Sequence, residues 1–312
     1  MLKILNILIG IVFIFYITSY FDVNFREFSE NITSFNPYLI ILSIFAYVLS
    51  HSFRVFRLLL FTDNHEFSIF KLYKEQFKAN GLNLIVPFKL GEAYRFLIFK
   101  NFFNGYSNSF VIILIEKILD ILTIFLLLGL TFLFSELIFF DIFTYLFILI
   151  LILFISFFVF NDIVKLIHKI YLKKESSETY IKIVKLTANY LKVSSKIKKI
   201  ISRNIGSLIT ISMIIWVLEI SSFYFLIDVL NNNIPALVIL AASVFLSSLL
   251  PNGPLGYGGI QLAFYSIGLI LSIENLIDFS IVYSFVIFGV GALIAGVLFI
   301  KDSIFTKYEK FR

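Results

Sequence analysis

Long apolar runs, repeated along the chain, constrain this sequence more than any other feature in it. Runs of about 17 or more mostly apolar residues match the length a helix needs to cross the ~30 Å hydrocarbon core of a bilayer. Lipid offers no partners to backbone N–H and C=O groups, so only helices or closed barrels can span it, and runs this long mean helices. Six full spans are predicted, at about 2–21, 37–61, 109–134, 138–160, 205–230 and 276–300. Composition agrees: 60% of the 312 residues are hydrophobic and 15% charged, too few charges to cover a soluble domain of that size. The 40 phenylalanines suit lipid-facing and helix-packing surfaces. The fold class is therefore all-α, a polytopic membrane helix bundle. The first run follows Lys3 and lacks a small-x-small cleavage site, so it reads as a retained span rather than a signal peptide.

Two further apolar regions, about 66–104 and 236–273, are broken in the middle. The first break is Asn83-Leu84-Ile85-Val86-Pro87-Phe88-Lys89-Leu90-Gly91-Glu92, and the second runs from Pro251 through Asn252, Gly253, Pro254, Gly256 and Gly258 to Gly259. Charge sets the expected orientation, because Lys and Arg concentrate in cytoplasmic loops. Segment 161–204 carries eleven Lys/Arg against three acids, region 62–108 carries six Lys/Arg, and the tail 301–312 carries four. The connections 22–36, 135–141, 231–235 and 272–278 hold one between them, Arg26. Both termini, with 62–108 and 161–204, are thus expected in the cytoplasm, and the protein in the cell membrane.

With that orientation, each broken region reads as a re-entrant hairpin, and the two dip from opposite faces. Each half of the chain becomes span, broken hairpin, span, with corresponding parts about 164–168 residues apart: 37 and 205, Pro87 and Pro251, 109 and 276. This is the pattern of an inverted repeat in one membrane domain (1–312), with repeat one at about 37–134 and repeat two at about 205–300. In transporters, paired Gly/Pro-interrupted segments point to a midplane substrate site; ordinary helix kinks are the plainer explanation. In 161–204, Lys182, Lys185, Lys192, Lys196 and Lys199 recur at helical spacing with Ile181, Val184, Ala188 and Leu191 between them. That suits a helix lying on an anionic leaflet, or a solvated basic loop that sets topology. Nucleic acid is not an expected partner, since no recognition module accompanies the charge.

Ionisable residues inside spans are costly and so are candidates for function. Glu116 and Asp120 lie four apart on one face of the third span, and Lys117 lies three before Asp120. A Lys117–Asp120 pair is expected, leaving Glu116 to find Arg95 or an asparagine. The alternative is a purely structural network. Glu219 stands alone in the fifth span beside Trp216, placed to bond a neighbouring helix or to face an aqueous cavity. His51, Arg54 and Arg57 follow at intervals of three near the end of the second span. Arginine's planar fork suits phosphate oxygens, although snorkelling explains such a stripe too. Lys89, Glu92 and Arg95 flank the first break, where helix ends add N–H groups that favour anions.

Other chemistries find little support. The glycines Gly253, Gly256, Gly258 and Gly259 lack a following Lys-Ser/Thr and lie in an apolar region, so a nucleotide loop is rejected in favour of a tight turn. His51, His65 and His168 have no metal-ligand spacing, and with no cysteine there is neither a thiolate metal site nor a Cys nucleophile. No metal or cofactor is expected, and no catalytic motif speaks for an enzyme.

The motifs themselves carry a resemblance. Asn83-x-x-x-Pro87-x-x-x-Gly91-Glu92-x-x-Arg95 resembles the N-x-x-x-P-x-x-x-G-E-x-x-R signature of the lysylphosphatidylglycerol synthase transmembrane family. Glu116-Lys117-x-x-Asp120 is similar to that family's E-R-x-x-D with Lys for Arg, and Leu250 to Gln261 to its late Pro/Gly-rich motif, which usually ends in Glu where Gln261 stands. The resemblance covers about residues 5–300. It implies a lipid flippase module, with the motif positions, Pro251, Gly253, Gly256, Gly259 and Gln261 among them, lining the substrate path. The full synthases add an aminoacyl-transfer domain. Since the chain stops at Arg312, the expectation is the flippase-like part alone. Gln261 weakens any proton-coupled scheme relying on that position.

The expected function is movement of an anionic phospholipid or lipid-linked glycan between leaflets. Arg54, Arg57 and Arg95 hold the phosphate, while Glu116 and Asp120 order the basic residues or carry a proton. The alternatives are a membrane glycosyl- or phosphotransferase using Glu92 or Asp120 as base, and a scaffold that recruits a separate lipid-modifying enzyme through 161–204.

Overall fold

A computed structural model describes residues 35–61, 68–86, 90–103, 105–134, 140–172, 178–227, 230, 233–249, 253–273 and 276–309. Among them are ten α-helices: α1 (Pro37–Leu59), α2 (Ile69–Ile85), α3 (Leu90–Phe102), α4 (Tyr106–Phe134), α5 (Phe140–Tyr171), α6 (Glu178–Leu226), α7 (Ile234–Leu249), α8 (Gly259–Leu271), α9 (Leu276–Val282) and α10 (Gly289–Glu309). A 3₁₀ turn (Pro254–Gly256) precedes α8, and a π-helical turn (Tyr283–Phe288) joins α9 to α10. Four segments are long and apolar enough to cross a membrane: Pro37–Leu59, Ser202–Leu226, Pro254–Leu271 and Leu276–Asp302. The chain is an integral membrane protein, all α in its described residues. The expected first span, 2–21, lies outside them. α4 and α5 occupy two more expected spans, with 29 and 32 residues.

Local chemistry sets the helix starts. The Asn36 side chain accepts the N–H of Tyr38 at 3.0 Å, and Pro37 takes the first helical position, where its missing N–H costs nothing. Asn233 repeats the device for α7, accepting the N–H of Ala236 at 3.1 Å just before Pro235. α6 runs 49 residues with a kink at Asn204 (φ −125°, ψ 19°), whose side-chain amide donates to the carbonyl of Leu60 at 3.0 Å. The basic segment is therefore largely a helical extension of two apolar helices. The end of α5 and the start of α6 lie side by side, joined by His168 to Thr187 (2.8 Å) and by the rings of Tyr171 and Tyr180 (5.2 Å). Lys182, Lys185, Lys192, Lys196 and Lys199 are all exposed.

The chain divides into two compact units that interleave in sequence. The first comprises Met1–Val55, His65–Ile98 and Ile214–Arg312, and the second Phe56–Asn64 and Phe99–Met213. In the first unit α2 and α10 form the most extensive helix pair, and they run antiparallel. A Cβ on Gly81 would collide with the Cβ of Ala295, and one on Gly291 would come within 2.9 Å of Leu84 and 3.0 Å of the Tyr47 hydroxyl. Small residues thus let the backbones approach, as membrane helices require where burial adds no water-driven force. α7 and α8 pack as a hairpin, and α8 also packs on α9. In the second unit α4 packs on α5.

Candidate functional site

Both expected breaks are present, between α2 and α3 and between α7 and α8. At the first, Pro87 and Lys89 lie outside the described residues. What surrounds them explains the motif. The Asn83 side chain reaches from α2 to accept the N–H of Glu92 at 3.0 Å, satisfying one of the donors that a helix start leaves open. Gly91, beside it, is packed so closely that a Cβ would run into the carbonyl of Ala79 and the Asn83 side chain. Asparagine and glycine here hold two short helices against each other. Arg95, one turn on, is buried and meets Glu92 at 3.5 Å, so it does not point into bulk water.

At the second break, Pro251 lies outside the described residues. Gly253 donates its N–H to the carbonyl of Tyr257 at 2.9 Å, closing a loop around Pro254. Leu255, Gly256 and Gly258 all have positive φ (56°, 71° and 100°), which only glycine adopts without cost. Gln261 sits fully inside. Its carbonyl accepts the N–H of Gly258 at 2.7 Å, and its amide donates to Ser284 in the π turn at 3.2 Å. An amide suits this position because it both donates and accepts; a carboxylate could only accept. Gly259 opens α8 at the same corner.

In the second unit, Arg57 at the end of α1 is 0% exposed. Its Nη1 donates to Asp120 Oδ1 at 2.8 Å and to Ser212 Oγ at 3.0 Å, and its Nη2 to Glu116 Oε1 at 3.4 Å. Both carboxylates are buried too, and Lys117 beside them is half-buried. Sequence reasoning placed Glu116 and Asp120 on one face and did so correctly. Spacing suggested Lys117 for Asp120 and Arg95 or an asparagine for Glu116; Arg57, which spacing did not suggest, reaches both acids.

In the first unit, Arg54 donates Nη2 to Glu219 Oε1 at 3.3 Å, and Ser50 donates to the same oxygen at 2.7 Å. The two side chains are 17% and 11% exposed. Tyr47, one turn before Ser50, accepts a hydrogen bond from Asn80 at 2.9 Å, and its ring meets His51 edge-on at 4.6 Å. Glu219, alone in the sequence of its span, is thus bonded to a neighbouring helix through two side chains of α1.

One cluster escaped the sequence reading. Lys74 donates to Asp302 at 2.9 Å, and Lys78 pairs with Asp302 and, at 3.0 Å, with Glu75. Tyr94 donates to Glu75 at 2.5 Å, and Phe299 lies 5.3 Å from the Lys78 ammonium. These groups close the end of the α2–α10 pair whose middle is Gly81 against Ala295. The signal was available: Gly291, Ala295, Phe299 and Asp302 recur at helical spacing on one face. No group of three or more His, Asp or Glu residues able to hold a metal occurs among the described residues.

Helices long enough to cross lipid, two helix breaks built on Pro, Gly and Asn, and arginine–carboxylate pairs within the helices define a polytopic membrane protein with charged groups in its interior. The family model described as "Lysylphosphatidylglycerol synthase TM region" matches residues 3–299, so the chain belongs to that family. No curated protein sequence and no solved structure matches it.

Proposed function

We propose that this protein moves an anionic phospholipid, or a lipid-linked glycan carrying phosphate, from one leaflet to the other. The observation that carries the proposal is Arg54. It sits on a helix long and apolar enough to cross a membrane, is partly open, and meets the Glu219 carboxylate at 3.3 Å. Ionisable groups in membrane helices are costly and mark paths for polar cargo. A guanidinium presents a planar fork of donors that matches phosphate oxygens. Arg57, locked among two acids and a serine, is assigned to holding its own unit together. Arg95 lies at the start of a short helix beside the first break, and we assign it to the headgroup path.

In this reading the two broken hairpins are re-entrant and enter from opposite faces as halves of an inverted repeat, with both termini cytoplasmic. Support comes from family membership, from the helix–break–helix form of both regions and from the distribution of Lys and Arg. Acyl chains stay in lipid while the headgroup crosses along the polar path. The test is reconstitution in phosphatidylcholine vesicles carrying labelled phosphatidylglycerol in one leaflet. The protein is expected to accelerate exchange, and Arg54→Gln to abolish most of the acceleration. Exchange no faster than in protein-free vesicles, for this and every other anionic lipid tried beside a working control, sinks the proposal.

A further inference from the structure

We infer that Gln76 reads a hydroxyl on the headgroup whose phosphate meets Arg95, so that the cargo is a lipid phosphate esterified to a polyol. This rests on the transport reading above and names its substrate class.

The Gln76 side chain belongs to α2 and is 5% exposed, and its Oε1 is buried with no hydrogen-bond partner among the described residues. Buried polar atoms are nearly always bonded, so one that stands open calls for a donor from elsewhere.

Helix geometry sets what lies beside it. Asn83 accepts the N–H of Glu92, Gly91 packs against Ala79, and Tyr94 donates to Glu75. Positions rise along α3 as they fall along α2, so the two helices are antiparallel. Gln76 and Arg95 each come one residue after the Glu75–Tyr94 pair. Viewed from one end of an antiparallel pair, an advance of one residue turns about 100° in opposite senses on the two helices. Gln76 and Arg95 therefore share one level and one flank of the hairpin. Arg95 is buried as well, with Nη1 3.5 Å from Glu92. Lys74 and Lys78, which meet Asp302 of α10, fall on the opposite flank, so the α2–α10 seam is not part of this site.

A guanidinium and an amide carbonyl on one flank match two parts of one headgroup. The guanidinium fork suits phosphate oxygens, which accept. The amide oxygen also accepts, so it has nothing to gain from phosphate and needs an O–H or N–H. A hydroxyl supplies that donor without placing a second cation beside Arg95. Glycerol and sugar rings both carry hydroxyls within a few bonds of a phosphate ester. Arg95 takes the charge, and Gln76 selects what is attached to it.

The test measures exchange by the full-length protein in phosphatidylcholine vesicles holding one labelled lipid at a time: phosphatidylglycerol, phosphatidylinositol or phosphatidylethanol. All are singly charged phosphodiesters. The first carries an open-chain polyol, the second a ring polyol and the third no headgroup hydroxyl. The kcat/KM of at least one polyol lipid is expected to exceed that of phosphatidylethanol by about tenfold, the factor that satisfying one buried acceptor represents. Which polyol leads distinguishes a glycerol-type from a sugar-type cargo. Gln76→Met keeps the length and the burial but has no amide. Its preference is expected to fall to within about twofold of equality, through loss of polyol-lipid exchange. A merely structural role would slow all the lipids alike and leave the preference standing, which overturns the inference. So does a wild type without preference, the sign that Gln76 Oε1 is met by water only. In both cases anionic-lipid transport stands; if the wild type exchanges none of these lipids beside a working control, both readings fall. Should Gln76→Met not fold, Gln76→Asn keeps an amide but withdraws it by one methylene. Its preference is expected to drop by about threefold, and an unchanged ratio there is equally decisive against the inference.

Discussion

Arg54 and Arg57 stand three residues apart on one helix, and the structure encloses them to different degrees. Arg57 is wholly enclosed, with Asp120 at 2.8 Å, Ser212 at 3.0 Å and Glu116 at 3.4 Å around its two terminal nitrogens. Arg54 is 17% exposed, and the carboxylate it meets at 3.3 Å is shared with a serine. A buried guanidinium must be surrounded by acceptors, because an uncompensated charge away from water costs several kcal/mol. A partly open one can exchange its partner at small cost. The residue type is the same in both places; the degree of enclosure is what differs.

Four substitutions probe that contrast. Asp120→Ala should have the largest effect, about 3–5 kcal/mol of stability, because it strips the shortest contact from an enclosed cation. Thermal unfolding in detergent measures this, and a loss below about 1 kcal/mol would mean that Arg57 is less dependent on Asp120 than its enclosure implies. Glu116→Gln removes the second charge but leaves an acceptor, and a loss of about 1.5–3 kcal/mol is expected from weakening a charged hydrogen bond. Ser212→Ala should cost about 1 kcal/mol, the typical worth of a neutral partner. Arg54→Gln should cost the least, under about 1 kcal/mol, while removing most exchange of anionic lipid. If Arg54→Gln proves as destabilising as Asp120→Ala, the two arginines are alike and the contrast fails.

What the sequence showed and what it hid divide along physical lines. The spans were legible because a bilayer demands long apolar runs. The breaks were legible because Pro, Gly and Asn announce themselves, and Asn83 and Gly91 proved to hold α2 against α3. Partners were hidden wherever they lie far apart along the chain. Glu116 and Asp120 meet an arginine about sixty positions earlier, separated by 59 and 63 residues. Lys78 meets Asp302 across 224 residues. Periodicity speaks about neighbours within one helix, and only the packing of helices reveals which charge answers which. For the basic segment, spacing indicated a helix, but nothing in the lysine pattern announced that α5 and α6 would run on through it and pair through His168 and Thr187.

The wide turn at Tyr283–Phe288 has a consequence for the whole C-terminal helix. A π turn accommodates one residue more than an α-helical path of the same course. Rewinding these residues as ordinary α-helix, with none removed, would swing everything downstream about the axis by about 100°. Gly291, Ala295 and Asp302 would all rotate off α2 together, without any of them being altered. The phase of α10, and with it every contact it makes, is fixed by a single surplus position.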